Sequence, residues 1–392
     1  MGSYIICFII TLFFAYINER NLKKNHPKKL VHRFTVMMII LIPAILAGAR
    51  DYSIGTDVTV YAEPIFQRAL NSNTFIQLYT SCSNSYLGSI EPGFLMIAYI
   101  VSKFTNDAHW FLFAISLFIQ VFIYLVLYRK REICSIFIGE FIYLFIIYNE
   151  SYNMMRQCMA IVIVLFAITF LMEQKYKQYV FFMIVSYLFH RSAVIGLLYW
   201  PVFILLKDKS AVDKFHIRTN KERQQWWIKL IGISIIITVV TVGFQTISSA
   251  LIGIGLLSSK YLGYLVGTHS SISIKAFVYY ILIITIIFLR RNKSICGYAF
   301  LSIAIADMFF YFLQGYMPYL YRIASYFLYS RVLSASQVRL DLSSILRTGK
   351  ITKEGVCAIG VIICCIVYWS FFIVYWNNHE TMPYLSSKLG IK

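Results

Sequence analysis

The sequence predicts an all-α, polytopic integral membrane protein of about 12 transmembrane helices, and three observations carry that expectation. Of 392 residues, 59% are hydrophobic and 14% charged, with a mean hydropathy of +0.69, which leaves too little polar surface for a soluble domain of this length. The apolar residues fall in repeated runs near the roughly 20 residues that a helix needs to cross a hydrocarbon core. Those runs are continuous rather than alternating, which argues against a β-barrel. In a soluble protein the net charge of +19 would suggest nucleic acid. Here it points to basic cytoplasmic loops and no nucleic-acid partner.

The first span is expected at 2–17. No Lys or Arg precedes it and no small-x-small cleavage site follows, so it reads as a retained helix rather than a signal peptide. The loop 18–33 carries Arg20, Lys23, Lys24, Lys28, Lys29 and Arg33, which the positive-inside rule places in the cytoplasm, with the N-terminus outside. The span 34–49 returns to the outer face and delivers Arg50. The outer loop 50–108 is poor in basic residues and contains an apolar run at 92–104. As a helix that run reaches only ~20 Å against a ~30 Å core, so it is expected to be re-entrant or interfacial.

Spans follow at 109–128, ending in Arg129-Lys130-Arg131, at 133–149, carrying Glu140, and at 154–172. The stretch 179–206 has Lys-rich segments on both sides and is interrupted by His190-Arg191. Two cytoplasmic flanks require an even number of crossings, so a tight helix pair turning at His190-Arg191 is expected; a single kinked span is the rival. Then come a basic loop at 207–227, a span at 228–247, and an outer segment at 248–275 with Tyr261, Tyr264 and His269. Spans at 276–289 and 295–313, the latter with Asp307, precede one that starts near Tyr319 and carries Arg322 and Tyr326. A basic loop at 339–355, a span at 356–375 and an outer tail at 376–392 complete a single polytopic domain over 1–392, with no internal repeat. The eight cysteines lie mostly in apolar runs and form neither a disulfide framework nor a zinc spacing.

Chemistry gathers at the expected outer face. Arg50-Asp51-Tyr52-Ser53-Ile54-Gly55-Thr56-Asp57, with Tyr61 beyond, follows an almost charge-free helix. Gly55 permits a turn that folds Thr56 and Asp57 back. Arg50, Arg156, Arg191 and Arg322 all sit at or just inside helix ends. Arginine keeps its charge when desolvated and grips phosphate with two parallel hydrogen bonds, so several at one face suit a lipid-linked pyrophosphate. The competing reading is that each snorkels to a headgroup or pairs with a nearby acid. Asp307 and Arg322 lie at similar depth and are expected to pair structurally. Glu140, deeper, reads as a protonated acid or a helix–helix hydrogen bond. Asp51, Asp57, Glu91 and His190 are the outer groups able to take a proton or orient a hydroxyl. No P-loop, HExxH, CxxC or GxSxG motif occurs.

Several short pieces, taken together, resemble the EpsG/Wzy-type polymerases of bacterial surface polysaccharides, including the O-antigen polymerases. They are Arg50-Asp51-x3-Gly55-Thr56-Asp57-x3-Tyr61; Glu91-Pro92-Gly93-Phe94 opening an apolar run; Asn153-x2-Arg156-Gln157-x2-Ala160; Phe189-His190 with Ala193; Tyr321-Arg322-x3-Tyr326-Phe327; and Pro383-Tyr384. The resemblance implies an inner-membrane glycosyltransferase facing the periplasm. Such an enzyme moves a growing glycan from undecaprenyl pyrophosphate to the non-reducing-end hydroxyl of a new lipid-linked unit.

On that reading Arg156 and Arg322, then Arg50 and Arg191, stabilise the departing pyrophosphate. Gln157, Asn153, Tyr61 and Tyr326 line the substrate. Asp57, then His190, Glu91 and Asp51, are ranked as the base. No metal and no cofactor are implied. The partners are the lipid-linked repeat units and membrane lipids, with room for a chain-length regulator protein. An O-antigen ligase, a flippase or exporter of lipid-linked sugars, and a sensor or scaffold without chemistry are the alternatives.

Overall fold

Apolar segments become helices in a membrane because a helix satisfies its backbone N–H and C=O groups internally. A computed structural model describes residues 1–88, 90–206, 228, 232, 253, 274–290, 296–314, 320–341 and 349–391. Among these there is no β-strand, and five helices are long and apolar enough to cross a membrane. The chain is an all-α polytopic membrane protein. It divides into two units, Met1–Leu197 with Arg331–Lys392, and Leu198–Ser330. The expected loop at 207–227, almost all of the span at 228–247, and the segment with Tyr261, Tyr264 and His269 lie outside the described residues.

In the first unit, α1 (Gly2–Leu22) and α2 (Lys29–Ala49) run on through their basic ends, so the loop expected at 18–33 shrinks to a short turn. Lys and Arg are good helix formers, and charge alone does not end a helix. The region 50–108 is helical rather than a loop. A π-helical turn, Val58–Ala62, leads into α3 (Glu63–Leu70), α4 (Phe75–Ser83) and α5 (Pro92–Ser102). At 1.5 Å per residue even α5 reaches only ~17 Å, too short to span. Next come α6 (His109–Arg129), α7 (Ile136–Ile142) extended by a π turn over Tyr143–Ile147, and α8 (Met155–Met172).

Side-chain contacts show that these helices alternate in direction. At one end, Glu19 of α1 accepts from Ser135 Oγ at 2.6 Å and from the Phe137 amide at 2.9 Å, at the start of α7. At that same end Lys130 (2.8 Å) and Lys175 (2.9 Å) converge on Glu173 with Arg129. At the other end Tyr148 OH donates to Pro43 O (2.6 Å), Tyr384 OH donates to Leu46 O (2.7 Å), and His109 Nδ1 lies 2.9 Å from Gly48 O. The basic residues gather at the first end and the Arg50 loop sits at the second.

α9 (Tyr176–Tyr187) ends at the His190 break, followed by 3-10 turns over Arg191–Leu198. Tyr179 OH donates to Gly196 O at 2.8 Å. In one continuous helix those residues would be ~25 Å apart. The chain therefore doubles back at His190-Arg191, and the single kinked span is excluded. α8 and α9 pack together, and Gly196 in the returning segment lies close against the Met183 and Val164 side chains.

The second unit contains α10 (Tyr199–Leu206), α11 (Ile274–Arg290), α12 (Gly297–Leu313) and α13 (Tyr321–Tyr329). Its core is aromatic: Phe310 stacks on Phe327 at 5.0 Å, and Tyr199 OH donates to Tyr326 O at 2.7 Å. The first unit resumes with α14 (Arg331–Ser334) and then α15 (Lys353–Tyr368), which continues as a π helix to Tyr375. The tail beyond it folds back onto the Arg50 loop.

Candidate functional site

The site begins with α5. Pro92 occupies its first turn, so Glu91 is the residue before the helix, with an extended backbone (φ −68, ψ 141). The Gly93 amide donates to Leu188 O at 2.8 Å, and a Cβ at Gly93 would come within 2.8 Å of that same oxygen. Only glycine allows this approach, which brings the 188–191 turn against Glu91. The Arg191 amide then donates to Glu91 Oε1 at 3.3 Å. The other carboxylate oxygen, Oε2, accepts from Arg156 Nη1 at 2.6 Å.

Arg156 stands in the first turn of α8, where the helix dipole disfavours a cation. Glu91 supplies the compensating charge. The guanidinium lies over the Tyr61 ring, 4.7 Å from its centre, and its side chain remains 22% exposed. Its Nε has no hydrogen-bond partner among the described residues. Tyr61 OH donates to Asp57 Oδ2 at 2.7 Å. Burial first, and then the Asp57 charge, push the Tyr61 phenol well above its usual range, so it stays a donor. One connected row therefore runs Asp57, Tyr61, Arg156, Glu91, Arg191. The Arg191 side chain is exposed beside it. His190 lies next in the turn, its Nδ1 accepting from the Ser192 amide at 3.2 Å and lying 2.6 Å from Ser192 Oγ. An accepting Nδ1 puts the proton of the neutral ring on Nε2.

The other expected residues of the first unit make contacts outside this row. Arg50 is 2% exposed, with its guanidinium 4.1 Å from the centre of the Tyr152 ring and donating to Ala47 O and Ile54 O. Asp51 accepts from the Ser387 amide at 2.8 Å. Asn153 accepts from Thr56 Oγ1 at 3.3 Å and donates to His379 O. Gln157 is buried. Arg322 and Tyr326 belong to the second unit: Arg322 Nε donates to Tyr321 OH at 3.2 Å, and Tyr326 is buried. Asp307 accepts from Tyr280 OH at 3.4 Å.

Sequence reasoning placed the tail at the outer face but gave His379 and Glu380 no role. His379 and Glu380 offer their carbonyls to Asn153 and to the Gly55 amide, so this stretch braces the loop that carries Asp57. Burial lowers the His379 imidazole to about 4, which keeps it neutral. The polar run Asn377-Asn378-His379-Glu380 directly after an apolar helix was the available signal. Among the described residues no three His, Cys, Asp or Glu side chains gather as metal ligands.

The geometry presents a partly exposed guanidinium with one carboxylate on it, an aromatic ring below it and a second arginine beside it. Chemically, such an arrangement suits an anion that displaces the carboxylate from the guanidinium. Compared with known families, residues 32–386 match the model of the EpsG family, nearly the whole chain. The chain belongs to the EpsG family. EpsG-type proteins are Wzy-like polysaccharide polymerases. The matched stretch contains every residue of the row described above. No curated protein and no solved structure matches the chain.

Proposed function

We propose that this EpsG-family protein polymerises O-antigen or a similar surface polysaccharide in the bacterial inner membrane, at the periplasmic face. Its donor is a glycan on undecaprenyl diphosphate, and its acceptor is the non-reducing-end hydroxyl of a new lipid-linked repeat unit. The observation that supports this best is Arg156, a charged fork at the end of a membrane helix, held by Glu91 and Tyr61 yet open to one side.

Bond breaking at the sugar C1 leaves negative charge on the diphosphate, and positioned cations lower that barrier. The diphosphate carries more charge than the Glu91 carboxylate and takes its place on Arg156, with Arg191 alongside. Glu91 keeps its bond from the Arg191 amide and is then free to accept the hydroxyl proton as the new C–O bond forms. Asp57, at the end of this row, and His190, beside it, are the other candidate bases. Arg322 is the further arginine assigned to the leaving group. The lipid diphosphate departs with the bonding electrons, so neither a nucleotide sugar nor ATP is required. A chain-length regulator protein is a partner that this activity accommodates.

The test is gel electrophoresis of lipopolysaccharide from a strain lacking the gene, complemented with variants. A single repeat unit on lipid A–core in place of a ladder identifies the polymerase. Loss of every repeat unit points to a ligase or flippase instead, and an unchanged ladder removes the chain from the pathway. Arg156→Ala and Arg322→Ala are each expected to reduce polymerisation about 100-fold or more with normal protein in the membrane. Arg156→Lys should restore only part, because lysine cannot make the paired grip. Full activity in both alanine variants ends the idea of an arginine clamp.

A further inference from the structure

A second polar cluster lies inside the first unit, away from the site. α6 presents Ser116 and Gln120, four residues apart and so on one face; α7 and its π turn present Glu140 and Tyr143, three apart. Gln120 Nε2 donates to Glu140 Oε2 at 2.8 Å, which sets the two faces against each other. Gln120 is roughly 16 Å from one end of α6 and roughly 14 Å from the other, close to the middle of a membrane. Ser116 is 4% exposed, and Gln120, Glu140 and Tyr143 are 0% exposed. Gln120 Oε1 and Glu140 Oε1 are buried oxygens with no partner among the described residues, and the Ser116 and Tyr143 hydroxyls, which lie beside each other, have none outside the cluster.

Buried polar atoms normally find partners, and four oxygens on facing helices with none outside their own cluster leave lone pairs for one shared ligand. Gln120 Oε1 and an ionised Glu140 Oε1 can only accept, and the two hydroxyls can turn lone pairs the same way. The titratable groups around the cluster are Tyr124 on α6, Tyr143 on the π turn, Cys7 on α1 and Cys158 on α8, none of which brings positive charge. A carboxylate at this depth needs a counter-charge. Four hard oxygens with a single negative charge suit a small monovalent cation. Divalent ions call for more carboxylates, and transition metals for nitrogen or sulfur.

We propose that Ser116, Gln120, Glu140 and Tyr143 bind a sodium ion in the middle of the helix bundle. Glu140 Oε1 neutralises the ion, Gln120 Oε1 and the two hydroxyls complete its oxygen shell, and Gln120 Nε2 holds the second carboxylate oxygen. The ion ties α6 to α7, and α7 leads through Glu150–Tyr152 into Asn153 and Arg156. Sodium thereby stiffens the scaffold under the site without entering the reaction.

The experiment uses the full-length protein, purified in detergent, in sodium chloride or choline chloride of equal ionic strength. Sodium is expected to raise the thermal midpoint by about 3 °C or more, because it binds the folded chain alone. The shift should vanish in Glu140→Gln. In membranes, dicyclohexylcarbodiimide modifies protonated carboxyls in apolar surroundings. It should label Glu140 in choline, with sodium slowing the labelling about tenfold. Equal midpoints in the two salts overturn the proposal, as does a sodium shift that persists in Glu140→Gln or labelling indifferent to sodium. In those cases the cluster encloses water around a protonated acid. If Glu140→Gln does not fold or the reagent does not reach Glu140, the wild-type midpoints decide.

Discussion

At Arg50 and Arg156 the same side chain has opposite surroundings. Arg50 is enclosed by Tyr4, Tyr148, Tyr152 and Tyr384 and spends its donors on backbone carbonyls. Arg156 meets a carboxylate and stays partly open. Arg50→Met is therefore expected to cost about 3 kcal/mol of stability, with less folded protein in the membrane, since carbonyls and rings lose a buried cation. Arg156→Ala should leave that level unchanged, and comparing membrane protein levels separates the two roles. Acid sensitivity also belongs to single residues. Folded His379 binds its proton only near 4, below the ordinary 6.5, so its contribution is full above 6.5 and is lost as pH falls towards 4. Burial opposes ionisation of Glu173, yet Lys130, Lys175 and Arg129 hold its carboxyl at about 2, below the ordinary 4.5. Its contribution is present above 4.5 and disappears as pH falls through 2. His379→Gln should flatten the pH dependence of the thermal midpoint between pH 4 and 6.5 and leave the steeper loss below it.

Among the elements, the 51–57 loop is held less by its own sequence than by the tail. The Asp51 amide donates to Leu385 O at 3.0 Å, and the Gly55 amide to Glu380 O at 3.3 Å. Gly55 has φ +85, and a Cβ there would stand 2.8 Å from Tyr152 O. Gly55→Ala meets a backbone atom as well as a left-handed conformation, and should cost roughly 1–3 kcal/mol. The loop would shift and carry Asp57 off Tyr61. Polymerisation should drop more than stability, which activity and thermal unfolding measured on one preparation would reveal.

For the whole molecule, alternating helices put the basic ends together and the Arg50 loop, the tail and the start of α8 at the opposite end of the first unit. By the positive-inside rule, the proposal that the site faces outwards predicts which end an external reagent reaches. Asn25, in the basic turn, and Asn378, in the tail, are both exposed, whereas the native cysteines are buried or half-buried. With intact cells, a membrane-impermeant maleimide should label Asn378→Cys and spare Asn25→Cys. The reverse pattern would turn the site to the cytoplasm and overturn the proposed periplasmic reaction.

Local pattern was enough for much of this protein. Continuous apolar runs near the span length determined an all-α membrane fold, the His190-Arg191 interruption marked a chain reversal, and Gly55 marked a turn. Each depends on residues adjacent in the chain. What the tertiary structure alone decided is which ends meet. Glu91 and Arg156 are 65 positions apart, and Asn153 and His379 are 226 apart. Hydropathy scores each segment by itself, so it cannot tell the arginine enclosed by four tyrosines from the one that meets a carboxylate. It also passes over the short helices at 50–108 and the returning tail. Their polar surfaces resemble loops until neighbouring helices supply the contacts that bury them.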